Sequence, residues 1–178
     1  MSVVKRKRKE SPFEVFHHLI KMRKDITDLL LRDFGYSNEK FQKKMERWYG
    51  GRPPDQLTDT QKKNIERQKR RAEAFDEWFI YQERNTIISC LHKINEHVYA
   101  ANSIYPTCIE ELKERRIHQD LAIGQCYRLV QELQYSIETL PVDINVYLRF
   151  SEQIQKEVDL IKGWRKSDNK YKKLFEKE

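Results

Sequence analysis

The chain has 178 residues, a net charge of +7, 38% apolar and 35% charged residues, and only five glycines and five prolines. That length suits one domain with appendages, so few turn formers argue against a β-rich fold, and there is no apolar run of the ~18 residues that a bilayer span needs. No apolar stretch follows the basic start as a secretory signal requires, and Cys90, Cys108 and Cys126 show no CxxC or Cys/His ligand spacing, so reduced thiols in a cytoplasmic protein without membrane contact are the simplest reading.

Ser11-Pro12-Phe13-Glu14 has the form of a capping box with proline at the first helical position. The helix it opens places Phe13, Phe16, Ile20, Ile26, Leu29, Leu30 and Phe34 near one side, and Gly35 is expected to stop it. Ser37 opens a short helix carrying Phe41, Met45 and Trp48, ended by Gly50-Gly51, and Arg52-Pro53-Pro54-Asp55 reads as a loop. Thr58 to Gln61 is a second capping box, and no breaker follows before Pro106, so one helix over about 59–102 is expected. Its first part is charged all round, the mark of a helix that protrudes or binds something. Its second part carries Phe75, Trp78, Phe79, Ile87, Leu91, Ile94 and Val98 as a core face. Thr107-Cys108-Ile109-Glu110 is a third capping box, opening a helix with Leu112, Leu121, Leu129, Leu133, Ile137 and Leu140 that Pro141 ends. A last seam runs through Ile144, Tyr147, Ser151, Ile154, Val158 and Ile161 at spacings of three and four.

These elements predict an all-α fold: an antiparallel up-down four-helix bundle with a charged helical insertion between the first and second bundle helices. The expected organisation is a basic arm at 1–10, the bundle at 11–166 with its insertion at 37–73, and a basic tail at 167–178. Residues 1–10 and 162–178 each carry +4, which leaves 11–161 at −1. In up-down order the two basic ends share one pole, and the basic run of the insertion sits at or beyond the other. Cations gathered at the ends of a neutral body point to a polyanionic partner, because neutralised phosphates release counterions. The same runs also fit solvated tails.

Catalytic and metal patterns are poor. A di-iron bundle needs a Glu-x-x-His pair on each of two helices, and Glu14…His17 supplies one; Glu114…His118 has the wrong spacing, and His92 and His97 lie five apart on different faces. His17 and His18 then read as surface or partly buried histidines. Cys126 lacks a histidine at helical spacing and reads as a buried thiol. Gly50-Gly51 lacks the Lys-Ser/Thr of a phosphate loop. A non-enzyme without metal or cofactor is expected. Trp164, between Gly163 and Arg165-Lys166, either stacks on a nucleic-acid base or packs over the end of the bundle.

The last helix ends Leu160-Ile161-Lys162-Gly163-Trp164-Arg165-Lys166-Ser167. This resembles the end of the last helix in the accessory variability determinant (Avd) proteins of diversity-generating retroelements, and the related four-helix proteins encoded by ribosomal RNA intervening sequences. The Tyr99–Pro106 turn and the Leu140-Pro141 break sit where such a bundle changes direction. The resemblance covers roughly 12–34 and 74–166 and leaves out the insertion and the N-terminal arm. It implies a non-catalytic homopentameric ring that binds a reverse transcriptase and its template RNA and cDNA through positive surface, supporting mutagenic cDNA synthesis. The residues expected to contact phosphate are Lys5, Arg6, Lys7, Arg8, Lys9, Arg165, Lys166, Lys170, Lys172 and Lys173 at one pole, with Arg67, Arg70 and Arg71 on the insertion. The rival expectation is a helical scaffold or oligomerisation module with no nucleic-acid role.

Overall fold

The computed structural model describes residues 13–175. Among them every regular element is helical, as the patterning predicts. Helix α1, Glu14–Leu31, begins directly after Phe13; Ser11 and Pro12 of the expected capping box lie outside the described residues. Its core face is Val15, Leu19, Met22, Ile26, Leu29 and Leu30. Ile20, expected inside, is 49% exposed. Leu19 and Met22 complete a four-three spacing with Val15 and Ile26, and the next residue along is turned away by about 100°. Phe34 is fully buried but not on the helix. Asp33, Phe34 and Gly35 have φ of 51°, 60° and 80°, so the chain turns sharply there. Two consecutive left-handed residues that are not glycine are costly. Burial of the Phe34 ring opposes that cost, as does Arg84, which donates to the Leu30 carbonyl (2.9 Å) and bonds Asp33.

Helix α2, Asn38–Trp48, buries Phe41 and Met45 and ends at Gly50 and Gly51, both with positive φ. Helix α3, Asp59–Ala74, starts on the expected box: Thr58 Oγ1 accepts from the Gln61 amide, and Gln61 Oε1 accepts from the Thr58 amide. The helix then runs through a π-helical segment, Phe75–Phe79, into α4, Ile80–Ser103. A single helix over 59–103 is therefore present, close to the expected 59–102. The wider π turn rotates the helix face. Phe75, Phe79 and Ile80 point inward, while Trp78, expected in the core, is 58% exposed.

Helix α5, Ile109–Thr139, ends at Leu140 ahead of Pro141 as expected. Its N-terminal box is displaced by one residue: the Thr107 amide and hydroxyl donate to Glu111, at 2.7 and 2.8 Å, rather than to Glu110. Leu121 is exposed, the core face passing instead through Gln119, Ala122, Ile123 and Cys126. Helix α6, Asn145–Ser167, keeps the expected Ile154, Val158 and Ile161, but Phe150 and Glu157 join them while Ile144 faces outward. The expected basic tail is a further helix across its described residues: α7, Asn169–Phe175, packs back on α5 and α6.

Helices α1, α4, α5 and α6 enclose a shared core. Paired side chains give their directions. Glu83 meets Ser136 and His97 meets His118, so α4 and α5 run antiparallel. Gln119 meets Asp168 and Tyr127 meets Lys162, so α5 and α6 do too. His18 meets Glu157 and Asp25 meets Gln153, which sets α1 antiparallel to α6. Consequently the start of α1, the α4–α5 link and the end of α6 share one pole. The α1–α2 turn and the π segment share the other, beyond which α3 extends with α2 folded back on it.

Candidate nucleic-acid interface

The first pole is held by one buried ion pair. Asp168, at the α6–α7 junction, accepts from Arg115 Nε (2.9 Å) and Gln119 Nε2 (2.8 Å), both on α5. Arg115 also donates to the Ile104 carbonyl in the α4–α5 link (2.7 Å), and its guanidinium lies 4.9 Å from the centre of the Trp164 ring. Phe13 closes on Trp164 edge-to-face at 4.8 Å. Trp164 is thereby used inside the molecule, and the packing reading of that residue holds over the stacking one.

Around this knot the cations turn outward. Arg116, Lys162, Arg165 and Lys166 line one open cavity of about 360 Å³, with Asn169 at its edge. Arg116 donates to Asn169 Oδ1 (2.6 Å), and Arg165 pairs with Asp120 (3.0 Å). Lys162 donates to the Tyr127 hydroxyl (3.1 Å). Among the described residues, Arg165 is the one of these four cations with a carboxylate partner, and Arg116 Nε is buried without any partner. A group of positive charges with so little internal neutralisation suits a phosphate. Exposed Lys170, Lys172 and Lys173 follow on α7, with the Lys170 ammonium 4.9 Å from the centre of the Tyr171 ring.

The expected phosphate-contacting residues fall into separate groups. Arg165, Lys166, Lys170, Lys172 and Lys173 are together at this pole. Arg67, Arg70 and Arg71 are exposed on α3, past the far end of α4. Of these, Arg70 is bonded to Glu66 (2.6 Å) and Arg71 lies 5.4 Å from the centre of the Phe75 ring. Between Arg71 and the pole lie residues 72–79 and the 24 residues of α4, a rise of about 48 Å. Lys5, Arg6, Lys7, Arg8 and Lys9 lie outside the described residues. Arg116 and Lys162 were not in the expected set. The signal for them is helical spacing: Arg116, Asp120 and Tyr127 share a face of α5, and Lys162 and Lys166 share a face of α6.

The other titratable groups lie elsewhere. His17 is exposed, whereas His18 Nδ1 and Glu157 Oε2 form a 2.7 Å hydrogen bond inside the core. Burial raises the Glu157 carboxyl to about 8, and burial followed by the charges of Lys156 and Lys21 lowers His18. The protonated carboxyl thus donates to a neutral imidazole. Cys126, next to this pair, is fully enclosed and its thiol is pushed up, first by burial and then by Glu157. His97 and His118 face each other with Nδ1 atoms 3.4 Å apart. Among the described residues no three His, Cys, Asp or Glu side chains gather as metal ligands, and no helix is long and apolar enough to cross a membrane. Comparisons of the chain with protein-family models, curated proteins and solved structures give no match.

Proposed function

We propose that this is a non-catalytic accessory protein that binds nucleic acid through its cationic pole. In this reading α1, α4, α5 and α6 are the four helices of an up-down bundle into which the 37–73 segment is inserted. The observation that carries the proposal is the single cavity lined by Arg116, Lys162, Arg165 and Lys166, with one carboxylate among four cations. Such a site holds phosphate without reading sequence. The resemblance at Leu160–Ser167 supports a reverse transcriptase and its template RNA and cDNA as partners, mutagenic cDNA synthesis in a diversity-generating retroelement as the process served, and a homopentamer as the assembly.

The test is binding of the full chain to a labelled RNA across a salt series. Affinity is expected to fall steeply as salt rises. Replacing Arg116 and Lys166 with Ala is expected to weaken binding and flatten the salt slope by about one unit per lost phosphate contact. An unchanged slope removes the site. A salt-stable oligomer with no affinity for nucleic acid instead favours the scaffold reading, for which the outward-facing Trp78, Tyr135 and Leu148 offer apolar contact surface.

A further inference from the structure

The cationic cavity does not stand alone. Tyr127, 45% exposed, lies on the face of α5 that also carries Arg116 and Asp120, a rise of about 16 Å along the helix from Arg116. Lys162, which lines the cavity, donates to the Tyr127 hydroxyl and sits 5.8 Å from the centre of its ring. The ring is therefore oriented by the same lysine that faces the cavity. At the pole itself Tyr105 is 73% exposed and meets Tyr171 edge-on at 5.9 Å, with Lys170 against Tyr171. Trp164, the aromatic that the sequence alone singles out among these cations, is occupied by Phe13 and Arg115.

We propose that this pole selects single-stranded nucleic acid, with the Tyr127 ring stacking on an unpaired base while Lys162, Arg116 and Lys166 hold the neighbouring phosphates. The inference rests on the function proposed above and adds the class of ligand. A duplex keeps its base faces inside the stack and presents mainly phosphate, so it engages the cations and leaves the ring idle. A single strand offers both, and stacking on an aromatic side chain tolerates any base. Tyr105 is placed to meet a base further along the strand.

The experiment compares the full chain with labelled oligouridylate of about 12 nucleotides, inside the usual range for single-strand sites, and with a duplex of equal length. Wild type is expected to prefer the single strand. Tyr127→Ala is expected to weaken single-strand binding about tenfold or more, leaving duplex affinity and the salt slope unchanged, while Tyr127→Phe keeps the preference. Equal loss on both ligands, or no loss on either, overturns the stacking inference while leaving the phosphate site in place. Wild-type failure to bind either ligand overturns both proposals. Tight binding to an acidic peptide in place of either nucleic acid makes the pole a protein-docking surface.

Discussion

Two buried polar side chains carry most of the chemistry at the scale of single residues. Glu157 holds its proton more tightly in the folded chain than in the unfolded one. Raising the pH from about 5 to 8 therefore removes a proton from the unfolded state first and lowers stability. His18 acts in the opposite sense: its folded value is depressed, so stability is lost as pH falls below its unfolded value near 6.5. Glu157→Gln keeps a donor toward His18 and removes the alkaline loss. Its melting temperature is expected to match wild type near pH 5 and exceed it near pH 9; an identical fall in both proteins rejects this assignment. Asp168 is the second case. Asp168→Ala leaves Arg115 buried without its carboxylate, at a cost of about 3–5 kcal/mol in urea unfolding. A cost below about 1 kcal/mol shows that water reaches the guanidinium. Neither pair was legible in the sequence, because each joins residues 53 or 139 apart.

Among the elements, α2 and α3 bury little: Phe41 and Met45 on α2 and Ala72 on α3, all three joined to the shared core. Between them lies an open cavity of about 750 Å³, lined by Phe41 and Met45 of α2, Leu57 ahead of α3, and Ile65 and Ala72 of α3. A lightly buried element opens locally at less than the global stability. Phe41→Ala is expected to raise hydrogen exchange across 38–48 while protection in α5 stays unchanged; loss of protection in both makes the arm part of one cooperative unit. Thr58→Ala removes the cap of α3 at about 1 kcal/mol, read as faster exchange over 59–64. This cap was legible because it needs only Thr58 and Gln61, three residues apart. The cap of α5 was legible only to within one residue, since Glu110 and Glu111 both follow Thr107 at helical reach and Thr107 bonds Glu111. The π segment left no local signal. Phe75, Trp78 and Phe79 fit an ordinary helix face, and only packing against Tyr36 and Tyr135 shows that Trp78 is turned out.

Across the described residues, the cations expected to contact phosphate occupy two separate regions, the cavity pole and the outer side of α3. A stacked strand rises about 3.4 Å per nucleotide, so about 14 nucleotides are needed to reach from one to the other. Replacing Arg67, Arg70 and Arg71 with Ala is expected to leave affinity for shorter oligonucleotides unchanged and to reduce it for longer ones. An equal effect at both lengths means that α3 binds independently of the pole.

The all-helical character, the uninterrupted helix from Asp59 to Ser103, the stop at Pro141 and the excess of positive charge toward the chain's end all follow from local spacing and composition, which act over a few residues. The choice between Leu19 and Ile20, the inward placement of Trp164, the pairing of Arg115 with Asp168 and the meeting of Arg116 with Lys162 were decided by the packing of α1, α5 and α6. A helix face is a continuum until a neighbour covers part of it, and which cation remains uncompensated depends on carboxylates that the sequence places far away.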